Sequence, residues 1–172
     1  MGCFANTTDG GETWEYQNLS EKYQKDEYQY FYSVFFIDTL KGWIAGAGFI
    51  LVTTDGGVNW TEIWNEEQTV YKIRFANNDS GFEQTGWIVG GDGMIYKTND
   101  AGESWTAQRD EKYHFNSIHF IDENTGWVVG DNGIILHTTD GGDNWVKQYQ
   151  NDSLILNSIQ AIDNNNVIIV GN

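Results

Sequence analysis

The 172 residues include no proline, one cysteine, and nine Lys plus Arg against twenty-five Asp plus Glu. Without proline, the reversals of the chain fall to the 20 glycines and to Asn and Asp, which tolerate tight turns. The single thiol, Cys3, excludes an internal disulfide and any paired-cysteine metal or redox motif. A formal net charge of −16 sets the chain against phosphate backbones and anionic lipid surfaces, so nucleic acid is not an expected partner. No apolar run approaches the ~20 residues of a membrane-crossing helix, so membrane insertion is not expected either. The segment before Asp9 is too short and polar for a signal peptide. Asn6 stands where a myristoylation signal after Met1-Gly2 needs Ser or Thr.

What is present is one phrase repeated four times: Thr7-Thr8-Asp9-Gly10-Gly11-Glu12-Thr13-Trp14, with counterparts at 53–60, 98–105 and 138–145. Asp9, Asp55, Asp100 and Asp140 hold its third position, and Trp14, Trp60, Trp105 and Trp145 its eighth. The aspartates lie 46, 45 and 40 residues apart, a period typical of propellers and solenoids. The segments around them are short, β-branched and aromatic. In the third full unit they read as four strands, 117–122, 126–130, 133–139 and 144–149. Four strands every forty-odd residues predict an all-β propeller of four-stranded antiparallel blades. A carboxylate at the start of a tight turn can accept backbone N–H groups, and glycine takes conformations closed to residues with a Cβ. Each Trp is expected to anchor the returning strand, roughly 200 Å² buried at about 25 cal/mol per Å². These eight residues therefore read as structural.

A second phrase precedes the later repeats: Gly42-Trp43-Ile44-Ala45-Gly46, Gly86-Trp87-Ile88-Val89-Gly90 and Gly126-Trp127-Val128-Val129-Gly130. The first phrase resembles the Asp-box, or BNR, repeat. Together the two resemble the photosystem II stability/assembly factor family, whose members are Asp-box propellers, and the resemblance covers almost the whole chain. In that family it implies a chaperone of a membrane-protein precursor, acting through a basic patch. This chain has only Arg74, Lys72 and few other cations near its inner strands, so the photosynthetic role is not carried over. Low Arg and frequent Asn and Asp are similar to secreted or surface-bound bacterial relatives, which implies an extracellular or periplasmic parent protein.

The two ends read as half-units. Residues 1–16 supply the last two strands of a unit and the C-terminus the first two. Aligning Asn157 with Asn116 places Gly171 over Gly130, and Met1 and Gly2 over Asn132 and Gly133. From Asp140 through the end and on to Asp9 is 41 residues, in step with the other spacings. The expectation is one domain, 1–172, of four blades: 154–172 plus 1–19, 30–68, 69–112 and 113–153. The first would be a composite, closed by pairing N-terminal against C-terminal strands. A monomer is expected, the alternatives being a piece of a larger propeller or two chains sharing blades. Cys3, aligned with Ile134, is expected to be a small core residue.

Candidate binding residues are those that vary where the scaffold is regular. At the start of each inner strand stand Tyr30, Thr69, His114 and Ile155, and two positions later Tyr32, Tyr71, Asn116 and Asn157. These should ring one mouth of the channel, joined by loops carrying Asp92 and Asp131. An enlarged connection, Leu19 to Phe31, adds Tyr23 and Tyr28 to Tyr30, and tyrosine suits contact surfaces. Asp38, Asn77, Asp122 and Asp163 end the four inner strands. They could converge on calcium, although each also precedes a turn that it could cap. A second insertion, Asn78 to Thr85 with Asp79 and Glu83, reads as an ordinary loop.

Catalysis finds little support. Sialidases share the Asp-box propeller but use three arginines, and this chain has Arg74 and Arg109. His114, His119 and His137 occupy different strand positions with no metal-ligand spacing. The expected function is a non-catalytic interaction module binding a protein or glycan partner through loops on one face. The alternative is a glycan-acting hydrolase, or a fragment of a larger Asp-box enzyme, with two carboxylates at glycosidase separation.

Overall fold

A computed structural model describes residues 2–24, 30–76, 85–109 and 113–172. Its elements begin with β1 (Cys3–Asn6), β2 (Glu15–Asn18) and a short helix α1 (Leu19–Tyr23). There follow β3 (Phe31–Phe36), β4 (Gly42–Thr53), β5 (Thr61–Phe75), β6 (Gly86–Gly90), β7 (Ile95–Thr98) and β8 (Thr106–Arg109). The chain ends with β9 (Phe115–Phe120), β10 (Gly126–Gly130), β11 (Ile135–Thr138), β12 (Val146–Tyr149), β13 (Leu156–Ala161) and β14 (Val167–Gly171). Every ladder is antiparallel, as the all-β propeller reading requires.

Two strands serve double duty. The first half of β4 pairs with β3 and the second with β5, while β5 runs on from the outer edge of the first blade to pair with β6 in the second. The order β3-β4-β5-β6-β7-β8 is thus one six-stranded sheet, and β9 to β12 form a separate four-stranded blade. The inner strands neighbour one another in the order β3, β5, β9, β13.

The Asp-box turns form as their composition dictates. In the second repeat, Asp55 accepts the Asn59 backbone N–H at 2.8 Å and the Thr53 hydroxyl at 2.8 Å, and Thr53 Oγ1 accepts the Gly57 N–H at 2.9 Å. The same bonds recur around Asp9, Asp100 and Asp140. Gly56 and Gly57 sit at φ of 74° and 92°, where a Cβ is strained. The third repeat places Ala101 at 56°.

The core lies between blades. Trp43 stacks on Phe75 of the next blade at 4.2 Å, and Trp87 on Phe120 at 3.5 Å, its Nε1 donating to Gly141 O. Within each blade a phenylalanine ring lies over the glycine paired with it: Phe36 on Gly42, Phe75 on Gly86, Phe120 on Gly126. The C-terminal hairpin inverts the volumes, pairing Ala161 with Val167.

The expected closure is not made within the chain. Among the described residues no ladder joins β14 to β1, and β1-β2 and β13-β14 stand as separate two-stranded sheets. Each hairpin follows the blade that buries it. Phe4 of β1 lies against Trp60 at 5.4 Å, and the fully buried Leu19 anchors α1 beside it. Ile159 and Ala161 of β13 are buried with Trp127 and Val129 at the far end. Cys3 is correspondingly exposed, where Ile134 is fully buried.

Candidate functional site

All four inner strands carry a register shift at the same place. The pairings skip one residue between Phe31 and Ser33, Val70 and Lys72, Phe115 and Ser117, and Leu156 and Ser158. The extra residues are Tyr32, Tyr71, Asn116 and Asn157, the row expected to ring the mouth. A bulge bends its strand and re-aims one side chain, which is how a regular scaffold presents a non-repeating surface.

Tyr32 and Tyr71 meet edge to face at 5.4 Å. Burial pushes the Tyr71 hydroxyl above its ordinary pKa, helped by Tyr32 and by the charges of Asp131 and Asp92. Asn116 Nδ2 donates to Asp131 Oδ1 at 2.9 Å and to Leu156 O at 3.1 Å, tying β9 to β13. Asn157 Nδ2 donates to Asn172 Oδ1 at 3.0 Å. His114 is exposed, its ring beside Gly91. Tyr30 is exposed at the start of the row, its carbonyl held by the Ala47 N–H. The row thus joins a tyrosine pair to an asparagine held by a carboxylate.

The far end of the same strands differs. Arg74 rests over the Phe35 ring at 5.8 Å and, with His119, Ala161 and Ile162, lines a cavity of about 260 Å³. Burial lowers the His119 pKa, as do Arg74 and Lys72 nearby, and its Nδ1 accepts the Ala161 N–H at 3.3 Å. His119 is thus a neutral link between blades. His137 stacks on Trp127 at 4.5 Å, and burial lowers its pKa too.

The tyrosine-rich connection divides. Tyr23 folds back on the rim, its hydroxyl accepting the Trp60 N–H at 2.8 Å. Tyr28 lies outside the described residues, as do Asn77, Asp79 and Glu83. The helix α1 had a signal that a loop reading passes over. Asn18 followed by Glu21 forms a reciprocal cap, Asn18 Oδ1 accepting the Glu21 N–H and Asn18 Nδ2 donating to Glu21 Oε2.

Asp38, Asp122 and Asp163 each accept two backbone N–H groups from the turn that follows. Their geometry is that of turn caps. The described residues hold no cluster of three or more His, Cys, Asp or Glu placed for a metal, and no helix among them is long and apolar enough to cross a membrane.

A groove of about 820 Å³, which no residue pattern announces, lies between β1 and β3, floored by Phe4, Val34, Phe36 and Ile44.

A family model described as Photosynthesis system II assembly factor YCF48 matches residues 1–69 and 63–172. The Photosystem II assembly lipoprotein Ycf48 of Synechococcus sp. (strain CC9902) is 34% identical over 105 residues, 59% of this chain and 29% of that protein. The chloroplastic Photosystem II stability/assembly factor HCF136 of Arabidopsis thaliana is 31% identical over 104 residues, 59% of this chain and 25% of that protein. Among solved structures, YCF48 from Cyanidioschyzon merolae superposes with a TM-score of 0.65 at 23% identity, over 93% of this chain and 53% of that one. A structure described as YCF48 bound to D1 peptide gives 0.60 at 24% identity, over 70% of this chain and 41% of that one. An ancestral GH74 enzyme gives 0.69 at 16% identity, over 90% of this chain and 22% of that one, a likeness of fold alone.

Proposed function

Because the chain belongs to the Photosynthesis system II assembly factor YCF48 family, we propose that it is a non-catalytic propeller that holds a protein segment against the mouth formed by Tyr32, Tyr71, Asn116 and Asn157. The observation that carries this reading is the bulge shared by the four inner strands, which leaves these four residues outside the pairing of an otherwise repeating wall. An edge-to-face tyrosine pair offers rigid apolar area with polar tips, and the negative charges of Asp131 and Asp92 that act on Tyr71 favour a segment bearing Lys or Arg. One solved relative is described as bound to a D1 peptide, and the matched curated relatives are assembly factors, which favours a protein partner over a glycan. The Asp-box carboxylates are occupied by turn hydrogen bonds, so they are not available as a catalytic pair.

The test is a titration with the D1 peptide and with a panel of synthetic basic peptides, monitored by tyrosine and tryptophan fluorescence. Replacing Tyr32 and Tyr71 together by Ala should weaken the tightest complex at least ~10-fold, the loss expected when central aromatic anchors are truncated. The melting temperature should stay close to that of the parent. Equal affinity in the double variant, or release of reducing ends from glycans by the parent chain, would overturn the reading.

A further inference from the structure

The far end of the inner strands gathers cations that no acid answers. Arg74 and His119 hold one repeat position on the neighbouring strands β5 and β9, each paired with the Trp of a Gly-Trp phrase, Trp87 and Trp127, and both line the cavity of about 260 Å³. Lys72, two residues before Arg74, lies on the same face of β5. The chain has a formal net charge of −16, yet among the described residues no carboxylate stands within ion-pair distance of Lys72 or Arg74. The ion pair that is made, Lys97 with Asp143 at 3.9 Å, lies elsewhere, on β7 and the turn after Asp140. Burial pulls the pKa of Arg74 down, and burial and then the Arg74 charge do the same to Lys72. A cation taken partly out of water without a counter-charge attracts an anion more strongly than the same cation on an open surface, because the solvent screens it less.

The donors in the cavity are fixed in place. Arg74 lies over Phe35, and its Nη1 donates to the Ile73 carbonyl at 3.4 Å, which leaves most of the guanidinium fork free to bind. His119 Nδ1 accepts the Ala161 N–H at 3.3 Å, so the proton of the neutral ring sits on Nε2 as a further donor. The rest of the wall is apolar: Phe35, Phe75, Phe120, Ile121, Ala161 and Ile162. Such a wall suits a carboxylate, which needs donors at one end, and not phosphate, which needs them on every side. The volume is below the ~300–1,000 Å³ of pockets for drug-sized ligands, which limits the occupant to about one ring and its acid group.

We propose that this cavity binds a small organic acid, its carboxylate on the Arg74 guanidinium and the His119 Nε2–H, its apolar body against the Phe35 and Phe75 rings. Those rings lie 5.6 Å apart and supply a surface for a flat or aliphatic body. The site shares no residue with the row of Tyr32, Tyr71, Asn116 and Asn157, so it stands apart from the reading of that row as a peptide site.

The probe is phenylacetate, titrated into the full chain by isothermal calorimetry, with phenylacetamide and inorganic phosphate as counterparts. Phenylacetate should bind saturably, one to a chain, at least ~10-fold tighter than the neutral amide, the loss expected when a charged hydrogen-bonding group is removed. Phosphate at equal concentration should not displace it. Arg74→Gln should abolish the preference for acid over amide while the far-UV signal persists. Ile162, 62% exposed, stands outside the core, so Ile162→Trp should keep the parent's melt and weaken phenylacetate at least ~10-fold by filling the cavity. The Tyr32→Ala, Tyr71→Ala chain should bind phenylacetate as the parent does, which separates failure at this site from failure at the tyrosine row. No saturation below about 10 mM, equal binding of the amide, or parental affinity in both Arg74→Gln and Ile162→Trp would overturn the proposal. So would displacement by phosphate at equal strength, which would mark a place that reads negative charge alone.

Discussion

Trp87 in the second complete blade lies flat on Phe120 of the next blade and is wholly buried, whereas Ile168, at the same repeat position in the C-terminal half blade, stands in solvent. Trp87 lies on a strand paired on both sides, by β5 and β7, whereas β14 pairs with β13 alone. A blade buries its second strand against the next blade, and the end of a row has none. Propeller stability is therefore a sum of neighbour interfaces, as in other repeat architectures.

The largest test of that contrast is Trp87→Ala, which removes a buried ring and leaves the Gly141 carbonyl without its donor. A loss of about 3–5 kcal/mol in urea unfolding is expected, while Ile168→Ala in the single chain should change stability by less than about 0.5 kcal/mol. A comparable cost at both sites would break the comparison. Next in size is Gly126→Val, whose Cβ would sit 2.6 Å from the Phe120 ring. The single change should cost about 1–3 kcal/mol. Adding Phe120→Ala recreates the Ala161–Val167 pair of the half blade and should give a coupling of roughly 1 kcal/mol or more in a double-mutant cycle. Additive losses would show that the two kinds of pair are not equivalent.

Smaller again is the contrast between rim and mouth. Tyr23→Ala strips the Trp60 N–H of its acceptor and should lower stability by about 1–3 kcal/mol. Tyr30→Ala, at an exposed position, should leave the melting temperature nearly unchanged.

The smallest effect is electrostatic. Hydrogen bonds from Ser104 and Thr98 hold Asp100 at about 2, and those from Asn144 and Thr138 hold Asp140 at about 2. Asp9 is held lower than its ordinary value by Thr13 and Thr7. Folded values below the unfolded one, near 4, mean that the stabilisation is present above that pH and is lost as pH falls toward 2. Acid titration of the melting temperature should show this decline, and Asp140→Asn should make it shallower. An unchanged slope would remove the Asp-box carboxylates from the account.

Much of this was legible in the sequence. The Thr-x-Asp phrase fixed the turns because its hydrogen bonds are all made within seven residues, and the Gly-Trp phrase marked the second strands. The row Tyr32, Tyr71, Asn116 and Asn157 stood out because these residues vary where their neighbours do not, and all four fall at the shared register shift. The bulges beneath them were not visible, since a skipped residue shows only in the pairing partner. Nor could Tyr23 be separated from Tyr30 by composition, because its role depends on where Trp60 lies in space. Closure failed for a related reason. Counting residues tells which half-units complement each other, and it is silent on where each hairpin comes to rest. Cys3 was misplaced by the same step, having been assigned the surroundings of Ile134 without the strands that create them.

Because β5 runs without interruption from the outer edge of the first blade to the inner edge of the second, the two are laced by one thread. A slip of a single residue in either pairing would turn every side chain of the strand to the wrong face in both. Those two blades should resist shear as one body and exchange their amide protons together, while β9 to β12, joined to them by no strand ladder among the described residues, form the seam at which the molecule first comes apart.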